Sequence, residues 1–513
     1  MRAPILSLIL VPGDEKALEV SVSTIFRDHA DTRWELVLAS GQEPDSLSAI
    51  VQRAPAGRLR WVQVQLAENA ADSCALSLQR ALDASTGAYV AVVGTGDIVE
   101  PGVLPAVVDY LASRPLVDVL YTDEQWPAEA AEGIFTKPGW NAEYLLGLPY
   151  LGRLCFVRRE PLMSCGGFRA GTSGAEEWDM HLRVTDAGAV VEHIPSIGLT
   201  RPNPPCVTTD SQVTALRVVE AHFHRIGVEA RVEAAALPGS VRSWRSTPEC
   251  PLVSVVMPTI GARRAVRGED TRLVTNCVRS LLAQTTYDNW ELVLVTSEGT
   301  PAAAIDEVAA LAGKRLTVAP VTGAFNFSRS INEGARVARG SHLLLLNDDT
   351  EVIEPLWLER MVGVAQDPTI GAVGAKLLFE DSRIQHIGVV HNDVWEPAHA
   401  FEFTPDDGNH FGMGTLDMDY LAVTGACLLT PRDVFLEVGG LTVELPLNYN
   451  DVDFCFKVIH SGRRIVSTPF ARLHHYESAS RDAHLEPFER AFLREHWTAL
   501  AHRDPFVNLR EIR

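Results

Sequence analysis

The sequence predicts an α/β protein made of two tandem copies of one domain, each a mostly parallel sheet flanked by helices. Three observations predict it. Short apolar runs alternate with helix-period segments at the spacing of βαβ units. The segment "RWELVLAS" (Arg33 to Ser40) returns almost unchanged as "NWELVLVTS" (Asn289 to Ser297). Further landmarks then recur in the same order in both halves, as an internal repeat of domain size requires.

Taken in order, each copy opens with an apolar strand after a proline, "PILSLILVPG" from Pro4 and "PLVSVVMPTIG" from Pro251. A helix is predicted over Leu18 to Phe26 and over Leu273 to Ala283. The repeated segment is the second strand, and "LRWVQVQ" or "RLTVAPV" the third. A helix ending at Gly87 or Gly340 leads into a fourth strand. There the copies part. One reads "AVVGTGDIV" (Ala91 to Val99) and the other "LLLLNDDTEV" (Leu343 to Val352). Downstream, "SCGGF" (Ser164 to Phe168) answers "EVGGL" (Glu437 to Leu441), and "EEWDMHLRVTDAG" (Glu176 to Gly188) answers "NDVDFCFKVIHSG" (Asn450 to Gly462). Pro195 and Pro469 follow at equal distances. The join falls in "ALPGSVRSWRSTPEC" (Ala236 to Cys250), which has no hydrophobic period. The domains are therefore expected at 1–240 and 251–513. "TALRVVEAHFHRIGVEARVE" closes the first as helix and strand, and "EPFERAFLREHWTAL" (Glu486 to Leu500) is a helix packing back on the second.

The 513 residues are 46% apolar, ample for large cores, and carry a formal charge of −21. That acidity argues against nucleic acid as the main partner, since phosphate backbones need clustered Lys and Arg. No apolar run approaches the ~18 residues that span a bilayer. "MRAPILSLILVPGDE" reads as a buried first strand rather than a leader. Eight scattered cysteines, with no C-x-x-C pair, read as buried free thiols of a cytosolic protein.

Chemistry points to the second half. In doubly wound sheets ligands bind outside the carboxyl ends of the strands, and "LLLLNDDTEV" is such an end. Asp and Thr also cap helices, so "DDTEVIEPLWLERM" alone would equally open one. The balance shifts because Asp349 and His475, in "ARLHHYESAS", both follow strands. Carboxylate plus imidazole suits Mn²⁺ or Mg²⁺ holding a phosphate-bearing substrate. If His474 and His475 both lie in a strand, they face opposite sides. Asp451 and Asp453 precede a helical run. Asp453 is expected to be its N-cap, leaving Asp451 to point into the cleft as a general base.

These residues resemble glycosyltransferase family 2, the inverting nucleotide-sugar transferases of GT-A fold. The resemblance is carried by "FNFSRSINEGARVARG", "LLLLNDDTEV", "GAKLLFEDSRIQHIGVV", "VTGACLLTPRDVF", "NDVDFCFK" and "HHYESASR". It covers nearly the whole chain, and is closest to tandem-domain bacterial members that build surface polysaccharides, rhamnosyl- and galactofuranosyl-transferase-like enzymes among them. It implies that Asn347, Asp348 and Asp349 occupy the DxD place, with Asp349 on the cation and Asp348 near the donor ribose or sugar. Asp451 takes the base position of the ED motif, with Asn450 for Glu, and His475 the metal-binding histidine. Pro258, Thr259 and Asn332 would line the donor pocket. The Asp usual after the second strand is absent here, where Thr296 and Glu298 stand, so UDP- and dTDP-linked donors both remain open. The acceptor, a glycan or lipid-linked saccharide, is expected between the sheet edge and Gln385 to Asn409, with Trp395, Thr424 and Gly425 as contacts. That segment also carries His391; His386 and His399 are read as structural.

The first copy looks disarmed. Gly94-Thr95-Gly96 stands for Asn347-Asp348-Asp349, with Asp97 one place late. Glu177 stands for Asp451, and Thr200 or Arg201 for His475. The expectation is an inert domain that holds acceptor, braces its neighbour or forms an oligomer interface. Two other readings remain: a sugar nucleotidyltransferase, for which "PTIGARRAVRGED" is a faint phosphate loop, and a glycan- or nucleotide-binding scaffold. Location is expected in the cytoplasm, with peripheral contact at the inner membrane face implied by the family's usual role.

Overall fold

The computed structural model describes the chain except residues 1–4, 12, 28–32, 43, 46, 55–56, 65–71, 128–132, 392–396, 408–409, 477–486, 502–503, 505 and 507–513. The chain divides into two compact units. The first holds residues 1–141 and 145–243; the second holds 142–144 and 244–512. The expected join at Ala236 to Cys250 is not a bare linker: Val241–Arg245 is a strand pairing with Ala230–Ala234.

Each unit is built on one twisted sheet, and strand order is the same in both. In the first it runs Leu59–Gln63, Trp34–Ser40, Leu6–Leu10, Tyr89–Val93, Phe156–Arg158, Val119–Gln125, Val191–Thr200, Ile98–Val99. In the second it runs Leu316–Val321, Trp290–Ser297, Val253–Thr259, His342–Leu346, Cys427–Pro431, Ile370–Leu378, Arg464–His475, Thr350–Val352. The first four strands of each order pair in parallel, as βαβ spacing predicts. The sheets are nonetheless mixed. Cys427–Pro431 runs antiparallel to both neighbours, and Thr350–Val352 antiparallel to Arg464–His475. The short strand Thr350–Val352 also answers the helix-cap reading: the segment after the acids is extended, and the helix starts only at Trp357.

Alternation explains why the central strands are apolar throughout. Leu344 and Leu346 pack on one face with Trp357 and Met361, while Leu343 and Leu345 pack on the other with Ile331, Ala335 and Phe454. Both faces are covered, so no polar side is needed. The helix Phe327–Val337 lies so close to the sheet that a Cβ on Gly334 would meet Val256 Cγ1 at 2.4 Å.

Among the described residues no helix is long and apolar enough to cross a membrane. All eight cysteines are free. Cys155, Cys277, Cys427 and Cys455 are buried as expected, whereas Cys74 and Cys206 are exposed.

Candidate active site

Strand Val253–Thr259 pairs with Trp290–Ser297 as far as Thr259 and Thr296, but with His342–Leu346 only as far as Val256 and Leu345. Beyond Val256 its ladder with the fourth strand stops, and a crevice opens at the carboxyl edge where strand order reverses. Pro258 and Thr259 stand on one side of it and Asn347 to Asp349 on the other. Thr259 Oγ1 donates to Asp348 Oδ2 at 2.5 Å and accepts from the Gly261 amide at 2.9 Å. Asp348 is thereby tied to the end of the first strand.

Asp349 meets His475 because of register. Thr350 pairs with His475, and the Tyr476 amide donates to Asp349 O at 2.9 Å. Asp349 Oδ1 then lies 3.1 Å from His475 Nε2, both side chains being mostly buried. Two ligands bound at ~2.1 Å in adjacent octahedral positions sit about 3 Å apart, so this pair fits one Mn²⁺ or Mg²⁺. Among the described residues no group of three or more His, Cys, Asp or Glu could hold an ion, which leaves the remaining positions to substrate oxygens and water. His475 Nδ1 lies 2.7 Å from Gln385 Oε1, and Gln385 Nε2 donates to His475 O at 3.3 Å. The amide is thus oriented with its oxygen toward the ring. It places the proton on Nδ1 and turns the Nε2 lone pair toward Asp349. Asn347 Nδ2 is 3.3 Å from the same nitrogen. His474 faces the other way, toward Phe379 O at 3.0 Å.

Asp451 lies in the first turn of the helix Asn450–His460, whose entry residue Tyr449 is left-handed at φ 58°. Its Oδ2 accepts from the Gly425 amide and its Oδ1 from the Val452 amide, both at 2.8 Å. The next carbonyl, Ala426 O, accepts from the Asn347 amide at 3.0 Å. The base candidate and the acid pair therefore share one stretch of main chain. The preceding amide, Thr424 N, donates to His386 Nε2 at 3.2 Å, and His386 Nδ1 lies 2.7 Å from His399 Nδ1. His386 is buried, and burial followed by the nearby His399 and His475 holds it far below the usual imidazole range. It is a neutral spacer that fixes the Thr424 main chain.

Several expectations change. Asp453 is no N-cap. It is buried against Thr442 Oγ1 (2.6 Å), Trp497 Nε1 (2.8 Å) and Lys457 Nζ (3.0 Å), a packing clamp. The Asn332 amide is held by main chain, donating to Leu441 O at 2.8 Å and accepting from Leu441 N at 2.9 Å. Gly425 serves Asp451 through its amide. Trp395 lies outside the described residues. In the first unit Asp97 is no displaced metal acid, being fully buried and bound by the Gly94 amide at 2.7 Å. Strand register also settles the partner of His475. Val99 pairs with Leu199 and Ile98 with Thr200, as Val352 pairs with Leu473 and Glu351 with His474. One step further along, the first unit has Arg201. Sequence reasoning read His386 as structural but missed Gln385 as a support, since nothing local marks a residue that acts across 90 positions.

Residues 251–495 match the model of glycosyltransferase like family 2. The chain is 31% identical over 531 residues to the uncharacterized protein y4gI of Sinorhizobium fredii, covering 99% of this chain and 57% of that one. It is 31% identical over 501 residues to the O-antigen biosynthesis protein RfbC of Myxococcus xanthus, covering 95% and 38%. It thus spans less than two thirds of either relative. Among solved structures, GalNAc-T7 with UDP, GalNAc and Mn²⁺ aligns at 16% identity and a TM-score of 0.39, covering 49% of each chain.

Proposed function

We propose that this chain, whose residues 251–495 match the model of glycosyltransferase like family 2, transfers a sugar from a nucleoside-diphosphate donor, UDP- or dTDP-linked, to a hydroxyl of a cell-surface glycan or lipid-linked saccharide. One observation carries the proposal: Asp349 and His475 meet at 3.1 Å beside the Thr259–Asp348 bond, at a strand edge shaped for a phosphate-bearing ligand.

In this reading Pro258 and Thr259 line the nucleotide side, and Asp348, held by Thr259, faces the ribose or sugar. Asp349 and His475 would hold a Mn²⁺ or Mg²⁺ ion, with Gln385 keeping the imidazole in place. The ion, when bound, neutralises the charge that builds on the departing diphosphate. Asp451, its two oxygens fixed by the Gly425 and Val452 amides, takes the proton of the acceptor hydroxyl as that oxygen attacks the anomeric carbon from the face opposite the diphosphate. The C–O bond to the diphosphate breaks as the new one forms, so the configuration inverts. Asn332 is assigned to bracing the helix Phe327–Val337 rather than to the donor. The relative named for O-antigen biosynthesis supports a polysaccharide acceptor. Work at the cytoplasmic membrane face, where lipid-linked acceptors sit, is part of the same proposal.

The test is a nucleotide-sugar panel with Mn²⁺ and glycan acceptors, reading released nucleotide. Nucleoside diphosphate is expected. Nucleoside triphosphate and sugar 1-phosphate formed when pyrophosphate is added would point to a nucleotidyltransferase, and no release with any donor to a binding scaffold.

A further inference from the structure

The first unit does more than lose the acids and the histidine. Arg153 lies five residues before Arg158, which pairs with Tyr89, as Ala426 lies five before Pro431, which pairs with His342. Its Nη1 is 3.2 and 3.3 Å from the two oxygens of Asp97, and its Nε is 3.9 Å from Glu177 Oε1. A Cβ on Gly94 would fall 1.9 Å from that Nη1. The glycine where the second unit has Asn347 is therefore what gives the guanidinium room. Arg201, at the position of His475, reaches Glu124 at 3.5 Å. A divalent ion does not fit beside these two cations.

We propose that the first unit binds a diphosphate group without a divalent cation, using the guanidinium groups of Arg153 and Arg201 where the second unit presents a carboxylate and an imidazole. Guanidinium forks match phosphate oxygens and need no ion between them. Both retain donors for such a ligand. Arg153 is about one third exposed, at 34%, and its printed hydrogen bonds to Asp97 both come from Nη1. Arg201 Nε is buried with no hydrogen-bond partner. The nearby carboxylates offset this charge in part: Asp97 pairs with Arg153 and Glu124 is shared by Arg201 and Lys137, while burial pushes Glu177 up to about 7 and so weakens its charge. Lys137, fully buried 3.8 Å from Glu124, adds a third cation to the floor.

The experiment uses the full chain with Asp349→Ala and His475→Ala together, which silences the second unit, and EDTA throughout. UDP, UMP, uridine and inorganic pyrophosphate are titrated by calorimetry. UDP and pyrophosphate are expected to bind at one equivalent, UMP at least tenfold more weakly, and uridine not at all. UDP tighter than pyrophosphate identifies a nucleotide as the source; equal binding identifies a diphosphate from elsewhere, such as a lipid-linked one. Arg153→Gln and Arg201→Gln should each weaken binding by more than tenfold. Arg153→Lys, which keeps charge and loses the fork, should weaken it several-fold and serves where Arg153→Gln melts early. No binding in EDTA, binding that requires Mn²⁺, or binding indifferent to Arg153 overturns the proposal. Because transfer is already abolished in this background, the outcome is independent of the second unit's activity.

Discussion

Gln385 grips His475 twice, at Nδ1 and at the main-chain carbonyl; the second contact fixes the amide, so the ring cannot turn without breaking the first. Outer partners of this kind are worth about 10–100-fold in metal affinity or activity. Gln385→Leu is therefore expected to raise the Mn²⁺ concentration for half-maximal transfer by about 10–100-fold, with kcat recovering at saturating metal. An unchanged Mn²⁺ requirement would remove Gln385 from the site. Asp451→Asn keeps the shape and loses the base. It should lower kcat by ~10²–10⁴-fold while UDP binding in Mn²⁺ stays within a few-fold of wild type. Single-turnover rates and calorimetry check the two halves of that statement. At this scale the sequence showed the residues whose chemistry is unusual for their setting, namely adjacent acids after a leucine run and a histidine closing a strand. It hid their supports, because a glutamine or a main-chain amide looks ordinary until folding brings it near.

The near-identical second strands have a physical reason. Glu291 is buried, accepting from Ser254 Oγ at 2.6 Å and from the Arg339 amide and Nε at 2.8 and 2.7 Å. Glu35 repeats the pattern with Ser7 and Thr86. The serine in turn accepts from Gly340 N or Gly87 N at 2.8 Å. A Cβ on either glycine would strike the first strand within 2.6 Å. One carboxylate thus stitches the first strand, the second strand and the turn into the fourth. Burial pushes Glu291 up, but the Ser254 and Arg339 hydrogen bonds outweigh it and its pKa is lowered. A lowered folded value means stability that is present above the unfolded pKa of ~4.3 and lost as pH falls through the folded value. The melting-temperature gap between wild type and Glu291→Gln should be open at pH 6 and close below about pH 4. Asp453 is a second such clamp. Removing it leaves the Trp497 indole N–H without its acceptor and Lys457 with only Gly440 O and Thr442 Oγ1, and Asp453→Ala is expected to cost about 1–3 kcal/mol by denaturant unfolding. These elements were legible as a repeat, yet the reason for it was not, because the glutamate's partners lie on other strands and turns.

Two sheets of one strand order, only one fitted for a cation, predict a stoichiometry. The full chain should bind one Mn²⁺ in the presence of UDP, and Asp349→Ala should abolish it; a second equivalent, read by calorimetry, would mean that the first unit is armed after all. The duplication itself was readable because landmarks recur at equal spacing. The antiparallel strand Cys427–Pro431 was not, since direction leaves no mark on an apolar run. Arg153 escaped notice for a related reason: comparing the copies reveals only what is missing, and its counterpart Ala426, within "VTGACLLTPRDVF", carries no functional group to lose. The void at Gly94 also bears on history. Restoring asparagine there collides with the arginine, while removing the arginine alone leaves Asp97 buried without its counter-charge. Each single step back toward a cation site passes through a worse protein than either endpoint, so the divergence of the two copies works as a ratchet that neutral drift does not readily unwind.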